Sequence, residues 1–174
     1  MDYQKIIEKY YPDDGDLRRL LLKHSRQVAD RTLLIAGRHP EWALDKEFLE
    51  AAAMLHDIGI VRCNAPGIYC YGTEPYISHG QIGGQMLRNL NDPSLCEGRT
   101  EALARVCERH TGTGLPGWEP ETLEEQLICY ADKFYSKSSP DHEKTLEEAM
   151  RSLQKFGPEG VERLKAWAEK FEGK

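Results

Sequence analysis

Apolar residues recur along this chain at the spacing of one face of an α-helix. The series Leu17, Leu21, His24, Val28 and Ile35 advances by four, three, four and seven residues, and at about 100° per residue these positions fall on one narrow stripe. Later segments repeat the period, whereas no stretch alternates for long enough to predict a sheet. The sequence therefore predicts an all-α fold, a single-domain bundle of about seven helices.

Capping residues and breakers set the expected helix boundaries. One helix is expected over residues 16–38, and the next is expected to be capped by Asp45. Ser139-Pro140 predicts the start of a further helix, with serine at the cap and proline in the first turn. The segment 61–78 is rich in proline, glycine and tyrosine, which predicts a loop with at most a short strand at 68–71.

The charge balance limits the classes of partner. The 23 Lys and Arg residues against 29 Asp and Glu residues give a net charge of −6, which argues against a whole-surface contact with DNA or RNA. The apolar runs are too short to cross a membrane, and the first residues lack a signal-peptide core. We therefore expect a cytoplasmic protein with no membrane partner, whose five cysteines are reduced and mostly buried.

Four histidines lie on apolar helix faces or at the helix ends that continue them, and two acids accompany them. An isolated histidine in such a place is usually a hydrogen-bonded core residue. Six such groups together would bury charge at a cost of several kcal/mol, which a shared cation would offset. We expect the metal ligands to be the six residues His24, His56, Asp57, His79, His110 and Asp132.

The types of donor atom limit which metal ions the site could bind. Imidazole and carboxylate together suit iron, manganese, cobalt, nickel or zinc. Six ligands are too many for one catalytic metal with open positions, so two metals about 3.5–4 Å apart fit better, with Asp57 as the bridge. Asp132 lies opposite the main apolar stripe of its own helix. It points inward only if that helix is covered on two faces; otherwise it is an exposed acid beside Lys133.

A resemblance to a known family lies in the string AAMLHDIG at residues 52–59. It is similar to the signature of the HD superfamily of metal-dependent phosphohydrolases. His24 matches the first ligand of that family and Asp132 its last. His79 and His110 match two further histidines that one group of members adds between those points.

The six-ligand order resembles the dinuclear branches of the superfamily. One such branch hydrolyses diadenosine tetraphosphate and related nucleotides at a di-iron centre, and another contains mixed-valence di-iron oxygenases. The resemblance implies cleavage of a phosphate ester or anhydride, of a nucleotide or dinucleoside polyphosphate, by a metal-bridging hydroxide. An oxygenase and a non-catalytic nucleotide or metal sensor remain as alternatives.

The resemblance also implies cofactors and roles. Two divalent metal ions are expected, with iron first and manganese, cobalt, nickel or zinc as alternatives. Asp57 is expected to be catalytic, and Lys133 to contact a phosphate. Many relatives place a lysine or arginine directly after the His-Asp-x-Gly string, where this chain has Ile60, and Arg62 is expected to supply that charge instead. The partner would be a small phosphorylated molecule rather than DNA or RNA.

The resemblance divides the chain. Residues 1–135 are expected to form the HD-type core with the metal site, and residues 136–174 to form accessory helices packed on the same domain. Their apolar faces are also compatible with a homodimer contact. Tyr69, Tyr71 and Tyr76 are candidates to stack on a base, and the turn at 111–114 is a candidate to present backbone N–H groups to an anion.

Overall fold

The computed structural model describes residues 1–112 and 117–173. Eight α-helices lie in these ranges, which agrees with the predicted all-α class. Their bounds are α1 Tyr3–Tyr10, α2 Asp16–Arg38, α3 Lys46–Leu55, α4 His79–Arg88, α5 Thr100–Arg109, α6 Leu123–Asp132, α7 Leu146–Leu153 and α8 Pro158–Glu172. The only described strands are β1 Asn64–Ala65 and β2 Cys70–Tyr71, which pair antiparallel.

Local capping explains where the helices begin. The Asp45 carboxylate accepts hydrogen bonds from the backbone N–H groups of Glu47 and Phe48 at 3.0 and 3.1 Å, so it caps α3 as predicted. The prediction that Ser139-Pro140 starts a helix is wrong. Thr145 caps α7 instead, because its hydroxyl and the Glu148 side chain form a reciprocal capping box.

The helices pack in pairs that bring distant parts of the chain together. α2 packs on α3 and α6, and α4 packs on α5. The 3-10 turn Ile58–Arg62, directly after α3, packs against α4. As a result, the C-terminal ends of α3, α5 and α6 and the first residue of α4 meet beside the middle of α2.

The C-terminal helices share the same core. Ala149 and Leu153 of α7, and Leu164 and Phe171 of α8, belong to one buried cluster with the earlier helices. α8 packs on both α6 and α7. The division at residue 135 remains a prediction about the chain's organisation.

Two predictions about burial and length can be checked directly. All five cysteines are buried free thiols, as expected. Among the described residues, no helix is both long and apolar enough to cross a bilayer.

Candidate metal centre

Six side chains converge at the meeting point of the helices. His24 lies in the middle of α2, and the other five lie at helix ends. They form two overlapping groups within which the candidate ligand atoms are all within 4.8 Å of one another: His24, His56, Asp57 and Asp132 in the first, and Asp57, His79 and His110 in the second. Asp57 belongs to both.

The first group surrounds one oxygen of Asp57. The Nε2 atoms of His24 and His56 each lie 3.1 Å from Asp57 Oδ2. The same two nitrogens lie 3.1 and 3.5 Å from Asp132 Oδ1. Asp132 is only 15% exposed, so the inward orientation is the one observed, and the alternative of an exposed acid is excluded.

The second group surrounds the other oxygen of Asp57. His79 Nε2 and His110 Nε2 lie 3.2 and 3.4 Å from Asp57 Oδ1, and 3.0 Å from each other. Asp57 is fully buried. Its two oxygens therefore face two separate sets of nitrogens, which is the geometry of a bridging carboxylate.

The protonation of three rings follows from their backbone contacts. In each ring Nδ1 lies 2.5 or 2.6 Å from the backbone carbonyl oxygen three residues earlier; this holds for His56, His79 and His110. Because a carbonyl can only accept, Nδ1 carries a hydrogen in all three rings, so Nε2 is the atom that presents a lone pair to a cation when the ring is neutral. These Nε2 atoms lie close to carboxylate oxygens, and those of His79 and His110 also lie close to each other.

This donor set fits a divalent cation. His56 Nε2 and Asp57 Oδ1 are buried without a hydrogen-bond partner, whereas Asp57 Oδ2 has the Lys137 ammonium beside it. Unpartnered buried polar atoms are costly. Imidazole nitrogens held by a backbone carbonyl on the other ring atom are the usual form of histidine metal ligands. The six residues could therefore hold metal ions, and their role as ligands stays a prediction.

The electrostatics of the centre favour added positive charge. Burial lowers the pKa of His56, but the carboxylates of Asp57 and Asp132 outweigh it and raise that pKa to about 9. Burial together with the nearby His56 and His79 lowers the pKa of His110 to about 4. Although burial opposes ionisation of Asp57, His56 and Lys137 hold its pKa well below the usual range.

Two lysines border the centre, and only one was predicted. Lys133 Nζ donates to the His110 backbone oxygen at 3.0 Å and to Asp132 Oδ2 at 3.1 Å. Lys137 was missed, yet its Nζ lies 2.5 Å from Asp57 Oδ2. It follows α6 in a turn, where helical periodicity carries no information; its place shortly after Asp132 was the available signal.

Arg62 lies away from the centre. It is the exposed last residue of its 3-10 turn, and its backbone oxygen accepts from Thr73 and Glu74. It is not among the residues that line the cavity beside the histidines. The predicted phosphate contact from Arg62 therefore gains no support from the geometry.

A cavity of about 580 Å³ opens beside the centre. His79, His110, Asp132, Lys133 and Lys137 line its inner end. Of the three tyrosines proposed to stack on a base, Tyr76 lines the cavity and stacks on His79, whereas Tyr69 and Tyr71 are 45% and 77% exposed. In the turn at 111–114, residues 113 and 114 lie outside the described residues.

Comparisons with known proteins find one matching family model and, among the similar proteins, two relatives of the same name. A family model described as HD domain matches residues 21–136. A tRNA (cytidine(56)-2'-O)-methyltransferase of Picrophilus torridus is 26% identical over 157 residues, which cover 78% of this chain and 40% of that protein. The protein of the same name from Thermoplasma volcanium is 26% identical over 178 aligned positions. These positions cover 95% of this chain and 44% of that protein.

The chain thus spans less than half the length of these curated relatives. No solved structure matches it significantly.

Proposed function

This chain belongs to the HD domain family, a superfamily of metal-dependent phosphohydrolases, and on that premise we propose that it hydrolyses a phosphate ester or anhydride of a nucleotide or dinucleoside polyphosphate. The observation that carries the proposal is the division of Asp57 between two groups of ligands, with Oδ2 facing His24 and His56 and Oδ1 facing His79 and His110.

The proposed cofactor is a pair of divalent ions. His24, His56, Asp57 and Asp132 would hold one, and Asp57, His79 and His110 the other. Iron is the first expectation, and manganese, cobalt, nickel and zinc accept the same donors. When bound, such a pair supplies a low-pKa water as nucleophile and Lewis-acid stabilisation of phosphoryl charge.

The side chains of the cavity support an anionic substrate. The ammonium group of Lys133 is held between Asp132 and the His110 carbonyl, which fixes it beside the ligand groups. Lys137 lines the same cavity, and its Nζ lies 2.5 Å from Asp57 Oδ2. Two fixed positive charges at this point would bind phosphoryl oxygens and stabilise negative charge that develops during cleavage.

The size and lining of the cavity support a nucleotide. A volume of about 580 Å³ lies in the range of small-molecule sites, about 300–1,000 Å³. Tyr76, Tyr135 and Phe156 add aromatic rings to its wall, and such rings can stack on a base.

The relatives' name raises RNA as a second kind of substrate. Against it stand the net charge of −6 and the cavity volume of about 580 Å³, both of which favour a small molecule over a nucleic-acid strand. Since the chain spans less than half of those relatives, their methyl-transfer activity is not part of the proposal.

The test is release of phosphate or nucleotide from a panel that includes dinucleoside polyphosphates. The protein is loaded anaerobically with Fe(II) or Mn(II), and the Asp57→Ala variant serves as the control. We expect release without oxygen by the wild type and none by the variant. No release from metal-loaded wild type would contradict the proposal, and product formation only after oxygen is admitted would identify an oxygenase.

A further inference from the structure

We propose that Lys144 and Lys155 form a second anion-binding subsite, distal to the metal centre, that makes this chain prefer substrates with several linked phosphates over monophosphates. The inference rests on the proposed function in one respect: the reacting phosphate is taken to lie at the metal centre. It assigns a specificity role to a segment that lies beyond the family match.

The cavity has two walls of different origin. Its inner wall comes from residues within the family match, which ends at residue 136. Apart from Lys137 at the inner end, the later lining residues form its outer wall, among them Lys144, Ser152, Leu153, Lys155 and Phe156. The features common to the family therefore do not determine this half of the cavity, and substrate choice within the family can differ here.

Four lysines line this cavity, and they differ in exposure. The side chains of Lys133 and Lys137 are 12% and 11% exposed and lie against the centre. Lys144 is half-buried, and Lys155 is exposed. The charge of Lys144 interacts with those of Asp132, Lys133 and Lys155, and all four lysines line the same cavity, so a chain of phosphates that starts at the centre would come within reach of Lys144 and Lys155.

The two outer lysines have charge available for a ligand. Lys133 and Lys137 are paired with Asp132 and Asp57. In the described parts of the chain, no carboxylate lies within ion-pair distance of Lys144 or Lys155. Burial lowers the pKa of Lys144, which reflects an ammonium removed from water without full compensation.

Local contacts fix the backbone of Lys144 and give the ammonium group of Lys155 an aromatic neighbour. The backbone N–H of Lys144 donates to the Phe134 oxygen at 2.8 Å, just before Thr145 caps α7. Lys155 lies in the 3-10 turn Gln154–Phe156 that follows α7, and its Nζ lies 4.9 Å from the centroid of the Phe156 ring. That cation–π contact orients the ammonium without neutralising it.

The cavity lining carries an excess of positive charge. Asp132 is the one acidic residue among the described lining residues, against Lys133, Lys137, Lys144 and Lys155. The whole chain, in contrast, has a net charge of −6. Positive charge concentrated in a concave site of an acidic protein favours a compact polyanion over a singly phosphorylated molecule.

The experiment compares two ligands by isothermal titration calorimetry on protein loaded with Mn(II), with Mn(II) kept in excess. The ligands are AMP and the non-hydrolysable adenosine 5'-(β,γ-imido)triphosphate. The variants are Lys144→Met and Lys155→Met, with Lys144→Arg as the charge-conserving variant. Lys165→Met is the matched control, since Lys165 is an exposed lysine of α8 that does not line the cavity.

We expect the wild type to bind the triphosphate analogue more tightly than AMP. Each Met variant should weaken the binding of the analogue by about five- to tenfold and the binding of AMP by less than about twofold. The Lys144→Arg and Lys165→Met variants should bind both ligands like the wild type. Equal affinity of the wild type for both ligands, or equal losses for both in the Met variants, would overturn the subsite. Absence of binding to the wild type would overturn it too.

Because these readouts need no turnover, they are independent of the hydrolase proposal. A selective loss of triphosphate binding in a protein that hydrolyses nothing would retain the subsite and reject the hydrolase. Hydrolysis with no dependence of binding on Lys144 or Lys155 would do the reverse.

Discussion

The Nε2 atoms of His79 and His110 lie 3.0 Å apart, and neither neutral ring has a hydrogen to place between them. Each ring donates its Nδ1 hydrogen to a backbone carbonyl, at 2.5 Å for His79 and 2.6 Å for His110. Asp57 Oδ1 lies 3.2 and 3.4 Å from the same two nitrogens. Three electron-rich atoms thus lie close together in a buried place. A cation bound between them would offset the repulsion of their lone pairs.

Removal of metal is therefore expected to lower stability. A cation that binds only the folded chain at a hundred times its Kd adds about 2.7 kcal/mol, which corresponds to about 5–10 °C in Tm for a domain of this size. Calorimetric melting with excess Mn(II) and with a chelator measures the difference. The same Tm in both conditions would show that the cluster holds no cation in the folded state.

A glycine beside the ligands is expected to be irreplaceable. A Cβ atom at Gly59 would lie 2.1 Å from the His79 backbone oxygen and 2.6 Å from the Gly83 nitrogen, and backbone cannot yield as a side chain can. Gly59→Ala should reduce the free energy of unfolding by about 1–3 kcal/mol and lower metal content, since α4 carries His79.

The matched control for that substitution is Gly37→Ala near the end of α2, where nothing lies within 4 Å of the added atom. It should be neutral or stabilising by up to about 1 kcal/mol. Urea unfolding of both variants gives the comparison. Equal effects at the two positions would contradict the close contact of the 3-10 turn with α4.

Periodicity and motif order were sufficient to predict the helical class and the convergence of the ligands. His24 lies on the predicted stripe of α2, and the Asp45 cap was recognisable because the carboxylate acts within three residues of itself. The prediction of a helix start at Ser139-Pro140 was wrong because a second cap signal follows closely in the sequence. The capping box of Thr145 and Glu148 supplies two hydrogen bonds, and the helix begins there.

Lys137 and Arg62 show where sequence reasoning ends. Both lie outside α-helices, so no period fixes the direction of their side chains. Lys137 reaches Asp57 across 80 residues of chain only because α6 packs on α2 and α3, while Arg62, close to Asp57 in sequence, is exposed. Contacts of this kind depend on tertiary packing.

Lys137 is expected to contribute to turnover more than to metal binding. Lys137→Met removes an ammonium group 2.5 Å from Asp57 Oδ2. Loss of one fixed donor to developing phosphoryl charge typically costs about 10²–10³ in kcat, whereas metal content should stay equal or rise because the ammonium no longer competes for Asp57. Steady-state kinetics and elemental analysis of the same preparation measure both.

Lys165→Met again serves as the control and should retain wild-type kcat. A Lys137→Met variant with unchanged kcat would show that this lysine has no role in the reaction. A variant that has lost its metal would show that the lysine supports the centre structurally.

The cap of α3 predicts a pH-dependent contribution to stability. Hydrogen bonds from the backbone, first that of Phe48, together with Arg99 at 2.7 Å, lower the pKa of Asp45 in the folded chain. The folded chain therefore binds this proton less readily than the unfolded chain. The stabilisation is present above the unfolded pKa of about 3.9 and is lost as the pH falls through the lower, folded pKa.

Two variants distinguish the effect of the capping hydrogen bonds of Asp45 from the effect of its negative charge. Asp45→Ala should cost about 1 kcal/mol at pH 7, while Asp45→Asn keeps a capping oxygen without a titrating group. Unfolding is measured at several pH values between 3 and 7. The free energy of unfolding of the wild type should exceed that of Asp45→Asn near pH 7, and this difference should shrink in the acid range. A constant difference across that range would contradict the lowered pKa.

Metal content per chain tests the account most directly. Wild type and Asp57→Ala are reconstituted anaerobically with Mn(II), passed through a desalting column and analysed for bound metal, with circular dichroism as the check on folding. We predict two ions per wild-type chain and fewer than one per chain in Asp57→Ala, with the helical spectrum unchanged. Two ions retained in folded Asp57→Ala would contradict the claim that Asp57 joins two metal sites.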